Sequence, residues 1–309
     1  MHVFQIVRSL ARVASCMIVA AAQSAAAEPP GTADGDVQSV TAFKIVPLAE
    51  LSPQQLSHPV VPALRWAYEG LDRIRRDVRD YTCRLVARER INGKLKDYES
   101  MQVKIRHRRE QEGSTVPFSV YLRYSGPSRL EGREVLYVAV SGQSKMLVRN
   151  GGRRNLQDVT LSLSPMSPRA MDNNRYPLTE IGMVTLLDRL IQVGHETLHT
   201  DKDSECRVRF IEGAKINGRS CTCVQVELPV RRDNLRFHLA RIFVDDQTQL
   251  PVRYASYGWP TRVGDAPRLW EEYTYLDVKA NVGLTDRDFD RANPAYQFYR
   301  PRNVDRTRE

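Results

Sequence analysis

The strongest constraint on this chain is the period-two alternation between Arg241 and Asp290, where RIFVDDQTQLPVRYASYGWP is followed after a short loop by RLWEEYTYLDVKANVGLTDRDFD. Arg253, Ala255 and Tyr257 fall on one side of an extended chain and Val252, Tyr254 and Ser256 on the other. Asp246, Gln247 and Thr248 suit the turn near its start, because Asp and Thr side chains bond the adjacent backbone. Gly258-Trp259-Pro260 ends the strand. Trp270 to Val278 returns beside it, rich in aromatic and β-branched residues that pack on a pleated surface.

The same pattern recurs upstream. Tyr81 to Ile91 and Lys94 to His107 read as strands joined at Asn92-Gly93, since both residues tolerate positive φ. Leu95, Met101, Val103 and Ile105 share an apolar face; Lys96, Gln102, Lys104 and Arg106 share a wet one. Pro117 to Tyr124, Arg133 to Ser141, Lys145 to Val148 and Asn155 to Leu163 continue a meander between turn residues. A further hairpin is expected from Cys206–Ile216 and Arg219–Leu228 around Asn217-Gly218.

Two stretches carry a helical period instead. Leu64, Ala67, Leu71, Ile74, Val78 and Tyr81 recur at three or four residues after Pro62, which suits a first turn. Charged residues occupy the opposite side. After a proline-rich break from Ser164 to Pro177, Thr179 is expected to cap a helix over Glu180 to Val193, with Gly194 as its stop. The fold class is mainly β with packed helices, in a single domain over residues 62–294. A chain of 309 residues is long enough to bury such a core.

The ends read differently. Arg8 and Arg12, an apolar run from Val13 to Ala22, and Ala25-Ala26-Ala27 follow the order of a secretory leader, with cleavage after Ala27. The apolar run is short of the roughly 20 residues that span a bilayer. Val13-Ala14-Ser15-Cys16 resembles a lipoprotein box, so an acyl anchor on Cys16 is the alternative. Residues 28–61 have the composition of a flexible tether and residues 295–309 that of a basic tail.

The formal net charge of +9 falls by two, to +7, once Arg8 and Arg12 leave with the leader. A basic exported chain suits an anionic membrane surface or acidic polysaccharide, and export argues against nucleic acid. The row Arg84, Arg88 and Arg90, with Lys96, Lys104 and Arg106 across the hairpin, either meets an anionic headgroup or forms a solvated outer face. Oligomeric state is not legible.

The phrases YTCRLVARERINGKL, PFSVYLRY, GREVLYV, NNRYPLTEIG, INGRSCTC, LPVRYASYGWP and EEYTYLDVKANVGLTDRDF are similar to the uncharacterised exported bacterial DUF1571 family over roughly Leu64 to Pro294. More distantly, the order helix, meander, helix, strands, ending in a Leu-Pro strand and an Asn-x-Gly-Leu phrase, resembles the LolA/LolB lipoprotein carriers. That resemblance implies a strongly curved antiparallel half-barrel whose apolar concave face, covered by helices, holds a lipid or lipoprotein acyl chain. Leu85, Met101, Val103, Ile105, Val120 and Leu122 would line the cavity, with the helices at Leu64 and Ile181 as its lid. The competing reading is a filled core, in which the chain is a structural or interaction domain.

Cys83, Cys206, Cys221 and Cys223 are an even set in an exported chain, which predicts disulfides. Cys221 and Cys223 point the same way on one strand and are poorly placed to bond each other. A tight turn sets them opposite residues 214 and 212, subject to a bulge near Gly213, so the pairing stays open. A four-thiolate zinc site is the rival, but its paired Cys-x-x-Cys signature is absent.

His195-Glu196-Thr197-Leu198-His199 matches H-E-x-x-H. On a helix, His195 and His199 can hold zinc while Glu196 activates water, with Glu205 or Glu212 as a third ligand. Gly194 and the following Thr197, Thr200 and Asp201 argue instead for a solvated helix end or loop. Glu271 with Glu272 face opposite sides of a strand, and Asp286 with Asp288 fit a turn. No nucleophile elbow or phosphate loop is present. The preferred reading is therefore a non-enzymatic, cofactor-free binder of an apolar ligand, and a zinc hydrolase is its enzymatic alternative.

Overall fold

The computed structural model describes residues 47–111, 113–140, 145–151, 159–201, 205–262 and 264–298. The expected leader with Cys16 and Ala27, the first part of the tether and the end of the basic tail lie outside them.

Asn92 and Gly93 take φ of 48° and 72°, so β1 (Asp80–Ile91) turns directly into β2 (Lys94–Leu95). The meander continues through β3 (Glu99–Arg106), β4 (Arg109–Gln111), β5 (Ser114–Val116), β6 (Ser119–Gly126), β7 (Glu134–Val138), β8 (Met146–Arg149) and β9 (Thr160–Leu163). The small β4–β5 hairpin was not expected; it pairs only with itself. The second half supplies β10 (Arg207–Ile216), β11 (Arg219–Glu227), β12 (Leu239–Asp245), β13 (Pro251–Gly258) and β14 (Arg268–Ala280).

Twelve of these strands form one antiparallel sheet in the order β10-β11-β12-β13-β14-β1-β3-β6-β7-β8-β9, with β2 beside β1. The sheet is open at β10 and β9 and is not strongly curled. β14 returns to pair with β1, setting Tyr275 against Leu85 and Tyr273 against Ala87. The last described residues also pack: Tyr296 stacks on Tyr121 with ring centroids 3.9 Å apart.

The helices are α1 (Pro53–Leu56), α2 (Val61–Asp77), α3 (Pro168–Met171) and α4 (Met183–Thr200). Within the stretch read as a tether, Ser52 and Gln55 form a capping box for α1, and Leu51 and His58 are buried. On α2, Leu64, Ala67, Leu71 and Ile74 are buried as the periodicity predicts. Tyr81 belongs to β1, where its hydroxyl accepts a bond from the Met183 amide at 3.2 Å.

The second helix departs from expectation at both ends. Leu178–Glu180 is a separate 3-10 turn, and α4 begins behind Gly182, whose φ of 112° favours glycine. Thr179 therefore caps nothing. Gly194 does not end the helix either, because tertiary packing overrides its poor propensity. A Cβ there would lie 2.4 Å from Leu64 Cδ2, so the missing side chain is what lets α2 approach α4.

Arg106 corrects the wet-face reading. It is buried, donates to Asp286 at 2.7 Å and lies under the Phe289 ring at 5.0 Å. No helix among the described residues is long and apolar enough to cross a membrane.

Candidate ligand cavity

A cavity of about 430 Å³ opens on one face of the sheet. Antiparallel register makes its floor: Tyr275, Leu85, Met101 and Tyr124 form one cross-strand row. Leu122, Val135, Val148 and Leu161 form the next. Every member of both rows lines the cavity. Tyr254 and Tyr273 close one side, and the chain from Pro165 to Arg189 forms the roof through Ala170, Tyr176, Leu178, Ile181 and Leu186.

Of the six residues expected to line a cavity, Leu85, Met101 and Leu122 do so. Val103, Ile105 and Val120 do not. They are at most 2% exposed in the packed core, with Ile105 3.3 Å from where a Cβ on Gly182 would lie. The expected lid is corrected likewise. Ile181 and the first turns of α4 roof the cavity, whereas Leu64 of α2 packs elsewhere, against Gly194 and beside Val224, Ala240 and Ile242. This sheet face is thus packed over at Val103, Ile105 and Val120 and open at Leu85, Met101 and Leu122.

Polar bonds hold the roof. The Arg175 amide donates to Glu89 at 2.8 Å, and the Arg175 guanidinium lies 3.3 Å from Glu271. Lys96 Nζ donates to the Asn173 carbonyl at 3.0 Å and to its Oδ1 at 2.6 Å. Glu89 also accepts from the Tyr273 hydroxyl at 2.5 Å. Burial raises the Glu89 pKa against these bonds, and burial lowers that of Lys96. Sequence reasoning read Ser164–Pro177 only as a break in the strands. Its role as roof was foreshadowed only by its apolar and aromatic residues among the prolines.

The H-E-x-x-H residues lie on α4, within a continuous helix rather than a solvated end. His195 and Glu196 are buried. His195 Nε2 shares a 2.8 Å bond with the Tyr68 hydroxyl, and burial pushes its pKa down. Glu196 accepts from Arg236 Nε and Nη2 at 2.7 and 2.9 Å, and from Gln192 at 3.1 Å. His199 Nδ1 bonds the His195 carbonyl at 2.7 Å. Glu205 pairs with Arg232, while Glu212 lies on exposed β10. A carboxylate saturated by a guanidinium is a poor base for water, and among the described residues no three His, Cys, Asp or Glu are grouped to hold a metal.

The expected disulfides are corrected: Cys83, Cys206, Cys221 and Cys223 are all free and buried. Cys83 on β1 lies four strand spacings from β11 along the sheet, or roughly 19 Å, beyond disulfide reach. Cys206 precedes Arg207, which faces Glu227, so it sits well along the strand from Cys223. The turn does place Cys221 opposite Ala214, and the Gly213 bulge moves Cys223 opposite Ile211 instead of residue 212. Burial pushes the Cys83 and Cys206 thiols up to about 12.

The basic row is engaged internally. Arg88 and Arg90 donate to the carbonyls of Lys96 and Leu269 at 2.9 Å each, Lys104 pairs with Asp288 at 2.8 Å, and Arg84 lies 3.7 Å from Asp277.

A family model described as protein of unknown function (DUF1571) matches residues 78–298. No curated protein matches the chain. Among solved structures it is similar to a DUF1329 family protein from Desulfovibrio piger, at 14% identity and TM-score 0.37, covering 76% of this chain and 98% of that one. It is also similar to a putative outer membrane lipoprotein-sorting protein domain from Vibrio parahaemolyticus, at 12% identity and TM-score 0.35, covering 74% and 96%. The lipoprotein LppX from Mycobacterium tuberculosis matches at 13% identity and TM-score 0.36, covering 74% and 99%.

Proposed function

Given that the chain belongs to the DUF1571 family, whose function is unknown, we propose that it binds an apolar ligand, a lipid or lipoprotein acyl chain, in the cell envelope without chemically altering it. One observation carries this reading: a 430 Å³ cavity whose floor is two cross-strand rows of apolar and aromatic side chains. That volume lies in the range of small-ligand sites. Apolar walls favour an alkyl chain because each methylene moved from water contributes about 0.8 kcal/mol. The leader-like residues 1–27 support export.

The Glu196–Arg236 pairing argues against the hydrolase alternative. Titration with the apolar fluorophore N-phenyl-1-naphthylamine tests the binding reading. Saturable uptake is expected, and Leu161→Trp, which fills the cavity from the half-exposed edge strand, should weaken it about tenfold. No uptake by the native chain, or uptake unchanged in the filled variant, would contradict it.

A further inference from the structure

The cavity is not uniformly apolar. At the end near the β1–β2 turn and the chain leaving β6, its wall carries Tyr124, Arg133, Glu99 and Glu89. The acids there are already engaged. Glu99 pairs with Arg129 at 3.2 Å, and Glu89 accepts from Tyr273 and the Arg175 amide.

Two donors remain. Among the described residues the Arg133 guanidinium has no hydrogen-bond or ion-pair partner. Its Nε is buried without an acceptor, and its Cζ lies 5.9 Å from the centroid of the Tyr124 ring. The Tyr124 hydroxyl also has no hydrogen bond among the described residues, and burial raises its pKa, so it stays a donor. Arg169, on the roof helix, lines the same cavity, exposed and without an acceptor among the described residues.

A buried guanidinium nitrogen without an acceptor is costly, and a planar fork of donors matches a carboxylate or phosphate. The carboxylates of Asp97 and Asp172 also border the cavity, but both are exposed to solvent, where their repulsion is screened.

We infer that the cavity takes an amphipathic anion, its carboxylate or phosphate head on Arg133 and Tyr124 and its alkyl tail along Met101, Leu122 and Leu85. This rests on the apolar-ligand reading and narrows it to a class: an acyl chain ending in a negative charge.

The test compares palmitate, 1-palmitoyl-lysophosphatidate and hexadecanol on the full chain by isothermal titration calorimetry under mildly alkaline conditions. Both anions should bind about tenfold more tightly than the alcohol, the difference one charge-assisted bond supplies. Arg133→Met should erase that preference by weakening both anions about tenfold relative to hexadecanol, and Arg133→Lys should restore part of it. Tyr124→Phe, which removes only a hydroxyl, should reduce anion affinity severalfold and serves if the arginine variant does not fold. The preferred anion separates a free carboxylate from a lipid phosphate; either preference supports the assignment. Equal binding of all three by the native chain, or a preference that survives Arg133→Met, overturns the headgroup site and leaves the apolar cavity standing. If none of the three binds, the cavity reading fails with it.

Discussion

Gly194 of α4 and Leu64 of α2 touch where any other residue at 194 would collide: a Cβ would lie 2.4 Å from Leu64 Cδ2 and 2.8 Å from Cγ. Gly194→Ala should therefore destabilise the fold by up to about 2 kcal/mol, since overpacking costs about 1–3 kcal/mol and the alanine returns about 1 kcal/mol of helix propensity. Gly70→Ala on α2 is the control. Its Cβ would meet Leu187 Cδ1 at 3.4 Å, an ordinary contact, so that change should be neutral or stabilising. Urea denaturation of both variants checks the contrast.

The two sides of the sheet should respond to pH with opposite sign. Arg219, with the Thr248 amide and hydroxyl, holds the Asp245 carboxyl well below the usual carboxylate range. Its contribution is complete above the unfolded value of about 3.9 and is lost as pH falls toward the folded one. Asp245→Asn should cost about 1–2 kcal/mol at neutral pH and flatten the stability profile below about pH 4.

Glu89 behaves in reverse, because burial raises its folded pKa. Its protonated form is favoured in the fold, so stability is highest below the unfolded value of about 4.3 and falls as pH rises through the window above it. Glu89→Gln should remove that decline and stabilise the chain at neutral pH. Denaturant midpoints across a pH series read both effects.

Glu196 has a structural role, held by Arg236. Its side chain is 3% exposed while that of Arg236 is 29% exposed, so Arg236→Ala should cost more, about 3 kcal/mol, by leaving a carboxylate buried without its cation. Glu196→Ala should cost about 2 kcal/mol, since the stranded guanidinium retains some solvent. Replacing His195 and His199 together should leave zinc content, read by elemental mass spectrometry, unchanged.

The strands were largely legible because alternation and Asn-Gly turns are local: both such turns take positive φ where expected, and Cys221 faces Ala214 as counted from the turn. What failed was nonlocal. Gly194 reads as a helix stop because propensity cannot see Leu64 across the helix pair. Arg106 reads as solvated because Asp286 and Phe289 lie 180 or more residues away.

The cavity was half legible for the same reason. The face of Leu85, Met101, Val103, Ile105, Val120 and Leu122 follows from period two, but which of its residues are packed over and which are left uncovered depends on where distant segments land. Tyr254, Tyr273 and Tyr275 were missed as lining although their alternation was plain, because the pairing of β14 with β1 is a long-range event.

Native mass spectrometry of the protein purified from an exporting host, before and after organic extraction, decides whether the cavity holds an apolar ligand. A reproducible apolar adduct is expected, about one per chain, that extraction removes and that returns when the extracted chain is offered the same species. A chain that carries no extractable mass and takes up no alkyl ligand when offered one would contradict it.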